Sequence, residues 1–172
     1  MRKVIVLVGS SSTGKTTAFD LLRTKLTNYS FISESTRKVQ NYGFKINEDG
    51  NDSTQLAITA FHLRTLLNPG NLILDRGLLD VLVYSNSIEG ISDSTKSFIQ
   101  DTFSEVKNDY THIIYFPIEF NAVDDGVRSV NEVWRRNIDD SFRSYLDHFY
   151  GNNYLTVSGS PMQRIQQILD YI

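Results

Sequence analysis

Gly9-Ser10-Ser11-Ser12-Thr13-Gly14-Lys15-Thr16 matches the pattern GxxxxGK[ST] at every fixed position. The two glycines permit a backbone curl that turns successive N–H groups inward, making a concave nest for phosphate oxygens. Lys15 brings a point positive charge to the outer phosphates, and the Thr16 hydroxyl is a candidate Mg²⁺ ligand. A helix beginning near Lys15 adds its positive N-terminal end to the same place. The expected nucleotide-binding set is Gly9, Ser10, Ser11, Ser12, Thr13, Gly14, Lys15, Thr16 and Thr17.

The flanks support the pattern. Residues 4–8, Val-Ile-Val-Leu-Val, form an unbroken β-branched run, as a strand buried on both faces should. After the loop, Ala18, Phe19, Leu22 and Leu26 recur at helical spacing. Strand, glycine loop and helix is the arrangement the pattern requires. A chance match in a chain of this size occurs on the order of one time in a hundred at ordinary glycine usage, so an accidental Gly/Ser turn is the weaker reading. The chain is expected to bind ATP or GTP.

Composition narrows the class. The 172 residues are 40 % hydrophobic and 22 % charged, which suits one globular domain over 1–172. No run approaches the roughly 18 apolar residues of a membrane span, so no membrane association is expected. The chain has no cysteine, which removes disulfides and thiolate metal sites and fits a cytoplasmic location. A net charge of −3 disfavours an extended nucleic-acid surface, although local basic residues could still grip a small anion. No internal repeat or linker is visible.

Beyond the first helix, residues 29–33 read as a second strand ending at Glu34, and 35–41 as a short helix. Residues 42–51 read as loop. Asp52 with Gln55 resembles a capping box, opening a helix whose apolar positions are Leu56, Ala60, Phe61, Leu63 and Leu67. Asn68-Pro69-Gly70 stops it. Residues 71–74 form a third apolar strand leading into Asp75-Arg76-Gly77, and 78–87 a helix. Another helix spans 94–107, with Phe98, Phe103 and Val106 as its apolar positions. Strand four covers 111–116 and ends at Pro117. A long helix starts near Val130 and carries Trp134, Ile138, Phe142, Leu146 and Phe149. Strand five lies at 154–157. Ser160-Pro161-Met162-Gln163 caps the last helix, which carries Ile165, Ile168 and Leu169.

Strands alternating with helices mean an α/β fold, a parallel sheet with helices on both faces. Ligands of such sheets bind beyond the carboxyl ends of the strands. Gly9, Glu34, Asp75 and Pro117 all fall at such ends and are expected to converge on one rim.

Asp75 is a candidate Mg²⁺ ligand beside Thr16; an Asp capping the next helix is the plainer alternative. Arg76 is placed to clamp a phosphate or an acceptor hydroxyl, or to form a structural ion pair. Glu34 is a candidate general base or sugar ligand, with a first-turn helix Glu as its alternative, and Arg37 three residues on could simply pair with it. Asp80 lies in the helix after Asp75, where surface exposure is equally compatible. Arg128, Arg135 and Arg136 could close over a transferred phosphoryl group from a flap, or form a solvated basic face. Arg135 and Arg136 follow Trp134, so at least one must point away from the core. His62, His112 and His148 sit on different elements without metal-like spacing and read as structural or surface.

Phosphate loops serve many classes. The Asn-Lys-x-Asp stretch of a GTPase is absent, and the chain has little room for the extra helical lid domain of a ring ATPase. A small kinase fits the length. The loop, Glu34 with Arg37, Asp75-Arg76-Gly77-Leu78-Leu79-Asp80, Tyr84, and Asp125-Gly126-Val127-Arg128 followed by Arg135 together resemble the small P-loop kinases grouped with the ATPase/kinase domain of ribosylnicotinamide kinase. Asp75-Arg76 is also similar to the Asp-Arg motif of deoxynucleoside and thymidylate kinases.

The resemblance spans nearly the whole chain. It implies a three-layer fold with strand order 2-3-1-4-5 and a small arginine-bearing lid at about 118–137. It implies ATP and Mg²⁺, with Lys15, Asp75, Arg128, Arg135 and Glu34 in catalysis. Glu34, Arg37, Arg76 and Asp80 would hold a small-molecule acceptor, most simply a nucleoside, nucleotide or ribosylnicotinamide-like compound. Two alternatives stay open: a kinase of polynucleotide ends or DNA bases, and a nucleotide-binding switch with no acceptor.

Overall fold

Val4-Ile5-Val6-Leu7-Val8 forms β1 (Val4–Val8), every residue of which is buried. Its side chains alternate between two interiors, as a pleated strand covered on both faces must arrange them. Val4, Val6 and Val8 enter one core and Ile5 and Leu7 the other. The structure, a computed structural model, describes residues 2–121 and 131–172.

From β1 the chain runs through α1 (Lys15–Lys25), β2 (Tyr29–Ile32), α2 (Thr36–Asn41), α3 (Asp52–Leu66), β3 (Asn71–Asp75), α4 (Leu78–Ser87) and α5 (Asp93–Val106). It continues through β4 (His112–Tyr115), α6 (Glu132–Tyr150), β5 (Leu155–Thr156) and α7 (Pro161–Tyr171). The sheet has five strands in the order β2-β3-β1-β4-β5, all neighbours parallel. The register sets Leu7 opposite Asp75 and Val8 opposite Tyr115. The carboxyl ends of the three central strands therefore lie side by side beneath the loop that follows β1.

The larger core joins the sheet to α3, α4, α5 and α6 through Ile58, Leu66, Leu78, Leu82, Ile99, Phe103, Ile138, Phe142 and Leu146. The smaller joins it to α1 and α7 through Ala18, Phe19, Leu22, Ile165 and Ile168. This is the three-layer α/β arrangement and strand order expected.

Three local expectations are corrected. The cap of α3 is Asn51, whose side chain accepts from the Thr54 N–H at 3.0 Å; Asp52 is drawn away, its Oδ1 accepting from the Ser92 N–H at 2.9 Å. The buried face of α3 is also not the apolar series in the sequence. Leu56 and Leu67 are exposed, whereas Thr54, Gln55, Ile58, Thr59, His62, Thr65 and Leu66 are buried. On α5, Phe98 is exposed and Ile99 takes the core position.

Candidate active site

Gly9 follows β1 with φ of +138°, and a Cβ there would lie 2.5 Å from the Phe116 carbonyl oxygen. Only glycine fits that close approach of loop and β4. Gly14, at φ +88°, forms the left-handed step into α1. Between them the loop curls around the Lys15 ammonium, which donates to the carbonyls of Gly9 (2.8 Å) and Ser10 and to Thr13 Oγ1 (3.0 Å). Lys15 is buried, and desolvation, followed by the nearby Arg76 cation, lowers its pKa to about 7.

Thr16 Oγ1, on the first turn of α1, donates to Asp75 Oδ2 at 2.9 Å. Asp75 is the last residue of β3 rather than the first beyond it. Burial, then the neighbouring Glu34 carboxylate, raises its pKa. Two oxygen donors facing one hollow are the ligand chemistry that suits Mg²⁺, which keeps several waters and takes phosphate oxygens as further ligands. Among the described residues no cluster of three acidic, His or Cys side chains competes as a metal site.

Arg76 links two elements. Its Nε donates to Glu34 Oε1 at 2.8 Å, just beyond β2, and its Nη1 to Asp80 Oδ1 at 3.0 Å and to the Gly9 carbonyl at 3.3 Å. The other Asp80 oxygen accepts from the Gly77 N–H at 3.0 Å, capping α4. Surface exposure of Asp80 is thereby corrected: it is buried, and burial pushes its carboxyl up to about 6 against the opposing pull of Arg76. Glu34 pairs across the sheet with Arg76, while Arg37 is exposed on α2.

Two arginines outside the hollow hold the loop from behind. Arg135, fully buried at the start of α6, donates to the carbonyls of Ser11 (2.8 Å), Ser12 (3.2 Å) and Phe120 (2.8 Å) and pairs with Glu132. Arg136 is exposed. Arg164 of α7, which sequence reasoning missed, donates to the Thr13 carbonyl at 2.6 Å and the Gly159 carbonyl at 3.0 Å and pairs with Glu119 at 2.7 Å. Its guanidinium lies 4.9 Å from the Phe120 ring centre. Arg128 lies outside the described residues, as does part of the expected lid.

Three hollows open around the loop. One, over the phosphate nest, is lined by residues 12–17 with Glu34, Asp75 and Arg76. A second is a cleft whose walls include Ser11, Glu34, Gln55, Ile58, His62, Arg76, Asp80 and Tyr84. The two share Glu34 and Arg76. A third lies against Gly14, Thr17, Ala18, Phe120, Asn121, Pro161 and Arg164. His62, read from sequence as structural, is buried and also lines the cleft, with Nε2 3.3 Å from Ser35 Oγ. Burial, then Arg76, lowers its pKa to about 4. Gln55 and His62 were legible only as polar residues seven apart on α3, a spacing that shares one helix face.

Comparison with known proteins fits this geometry. No curated protein sequence matches the chain. Among solved structures it is similar to a NadR protein in complex with NR, with a TM-score of 0.78 and 19 % identity, covering 99 % of this chain and 51 % of that one. A thymidylate kinase from Candida albicans matches with a TM-score of 0.69 and 17 % identity over 98 % of this chain and 90 % of that one. A deoxyadenosine kinase from M. mycoides, with products dCMP and dCDP bound, matches with a TM-score of 0.69 and 14 % identity over 97 % and 96 %. At such identities the likeness is one of fold, the P-loop fold of nucleoside and nucleotide kinases, and the chain spans about half the length of the NadR proteins it matches. The family described as AAA domain matches residues 4–164, from β1 to the arginine that braces the loop from α7. The chain belongs to that AAA domain family.

Proposed function

We propose that the protein transfers the γ-phosphoryl group of ATP to the hydroxyl of a small nucleoside-like acceptor, with Mg²⁺. The observation that carries this reading is the meeting of two hollows at Glu34 and Arg76, one over the phosphate loop and one in the cleft beside it. A donor and an acceptor bound in them would meet at those side chains. Binding sites for two reactants that open onto each other are what an in-line transfer requires.

The backbone N–H groups of residues 9–17 would cradle the phosphates. Lys15 would leave its loop carbonyls for the outer phosphate oxygens, which restore its full charge. Thr16 and Asp75 would hold Mg²⁺, which when bound neutralises charge developing on the β- and γ-phosphates. Glu34, released in part from Arg76, would take the proton of the acceptor hydroxyl as its oxygen bonds to the γ-phosphorus and the bond to the β,γ-bridging oxygen breaks. Arg76 and Asp80 would orient the acceptor. Arg135 would act by fixing the loop carbonyls, and Arg128 remains a candidate for covering the transferred group. Catalysis of this kind is mainly positioning and charge stabilisation.

The fold of the NadR proteins, thymidylate kinase and deoxyadenosine kinase supports an acceptor of nucleoside or nucleotide type. The test is Mg-ATP-dependent ADP release with nucleosides, nucleoside monophosphates, ribosylnicotinamide and short DNA as acceptors. Acceptor-dependent release that is lost in Lys15→Ala and Asp75→Ala supports the reading. Release unaffected by Lys15→Ala overturns it.

A further inference from the structure

Trp134 and Arg135 are neighbours on the first turn of α6, and they face different sites. Arg135 holds the phosphate loop, donating to the carbonyls of Ser11 at 2.8 Å and Ser12 at 3.2 Å, while its own carbonyl accepts from Ser10 Oγ at 3.1 Å. Trp134 packs against the larger core and meets Tyr84 of α4, the ring centres 5.5 Å apart and the planes tilted by 58°. Tyr84 lines the cleft beside the loop and does not line the hollow over the phosphate nest. The Arg76 guanidinium lies 5.4 Å from the centre of the Tyr84 ring. A continuous series of packed groups therefore runs from the cleft wall through Tyr84 and Trp134 to Arg135 and the loop carbonyls.

The anchoring of α6 gives this contact leverage. One turn further along, Tyr115 Oη donates to the buried Asp139 Oδ1 at 2.7 Å, which fastens the helix to the carboxyl end of β4. Before that anchor, Trp134 and Arg135 share one hydrogen-bonded turn and cannot shift separately, since consecutive Cα atoms are held about 3.8 Å apart. Packed aromatic rings resist voids, so a displaced Tyr84 carries Trp134 with it. The loop is sensitive to such a shift. Its Gly9 and Ser10 carbonyls bond Lys15, whereas its Ser11 and Ser12 carbonyls bond Arg135. Moving Arg135 therefore alters the curl that turns the loop N–H groups toward phosphate.

Resting on the part of the reading above that puts the phosphates of ATP in this loop, we propose that Trp134 is a positioning residue that couples the cleft to the loop. The Tyr84–Trp134 pair sets where Arg135 holds the Ser11 and Ser12 carbonyls, so a change at the cleft wall alters the affinity for ATP. Coupling of this kind is reciprocal: what the wall does to ATP binding, ATP does to the wall. A second route between the hollows runs through Arg76, which lines both and bonds the Gly9 carbonyl at 3.3 Å. The two routes predict different outcomes once Trp134 is removed.

Trp134 is the single tryptophan of the chain, so its emission reports this turn alone. Excited beyond the adenine absorption band, the parent should change its emission on saturation with Mg-ATP. Calorimetry with Mg-ATP then gives the Kd of Tyr84→Leu, Trp134→Leu, Trp134→Phe and the double Leu variant. Each single Leu variant should raise Kd about 3- to 10-fold with unchanged circular dichroism. The double variant should bind no worse than the weaker single, because both changes cut the same link; independent effects would multiply to about 10- to 100-fold. Trp134→Phe, which keeps a ring against Tyr84, should recover most of the loss. A merely structural Trp134 would lower Tm on substitution by Leu and leave the Kd for ATP as in the parent. Multiplying effects would assign the coupling to Arg76 and overturn the inference, as would a folded Trp134→Leu protein that binds ATP as the parent does. Where a Leu variant fails to fold, the parent's emission decides, and no change with Mg-ATP overturns the coupling. A parent that binds no ATP would overturn the kinase reading together with the coupling. Coupling found in a protein that releases no ADP with any acceptor would leave it standing and overturn the kinase reading alone.

Discussion

Arg76 holds φ at +79°, a left-handed conformation that a non-glycine residue adopts only when its surroundings impose it. Here the guanidinium must reach Glu34, Asp80 and the Gly9 carbonyl at once. Replacing it by glycine would relieve the backbone but take from the buried Asp80 its ion-pair and hydrogen-bond partner. Arg76→Ala is therefore expected to lower stability by about 3–5 kcal/mol, read in urea unfolding, because it strands a buried carboxylate. Arg76→Lys should recover only part of this, since a point charge cannot bond Glu34 and Asp80 in the geometry of the planar fork. His62 gives a second expectation at this scale. Its folded pKa of about 4 lies below the ordinary 6.5, so the neutral form is favoured by folding. The stability that follows is fully present above pH 6.5 and is lost as pH falls through about 4, on the order of 3 kcal/mol in all. His62→Gln should flatten that part of the pH–stability curve; a curve unchanged by the substitution would refute the assignment.

At the scale of elements, α7 does more than close the smaller core. Its cap, Ser160 with Pro161 and Gln163, was legible from four residues, because capping depends on local hydrogen bonds alone. What that helix delivers was not legible. Arg164 reaches 151 positions back along the chain to the Thr13 carbonyl. No local pattern encodes a contact so distant. Arg164→Gln should leave the fold intact but loosen the loop, raising KM for ATP about tenfold with a smaller fall in kcat. An unchanged KM would show that the loop holds its shape without α7. The same distinction explains α3. Its existence followed from spacing and its end from Asn68-Pro69-Gly70, but its cap and inward face were misjudged: the helix lines a cleft, so Gln55 and His62 are buried in its wall while Leu56 and Leu67 are exposed. Hydrophobic periodicity reports the face that meets an apolar core, and α3 meets that core through Ile58 and Leu66 while Gln55 and His62 face a cleft. Its polar stripe is the signal that could have shown this.

For the whole molecule, the five strands, their parallel arrangement and the gathering of Glu34, Asp75 and the loop at one rim were readable because the strand runs are mainly apolar and Gly9, Glu34 and Asp75 mark the ends of three of them. Strand order came only from resemblance, since the pairing of β3 between β1 and β2 is a property of crossovers and not of any segment. The pairing of Glu34 with Arg76 has the same origin, being set by β2 and β3 lying side by side. The assembled site has a consequence for the stability of the entire domain. Lys15 is held at about 7 in the loop by burial, and phosphates would return it to full charge. Above that pH, nucleotide binding must therefore take up close to one proton. Between pH 7.5 and 9, above the phosphate pKa of about 6, ATP affinity should fall about tenfold per pH unit. A ligand in 100-fold excess over its Kd adds about 2.7 kcal/mol to the folded state. At fixed ATP the rise in Tm should accordingly shrink as pH is raised from 7.5 to 9. Calorimetric titrations in buffers of different ionisation enthalpy would count the proton directly. A pH-independent Tm shift with no proton taken up would mean that Lys15 is already charged in the empty loop, and that its three loop acceptors outweigh its burial.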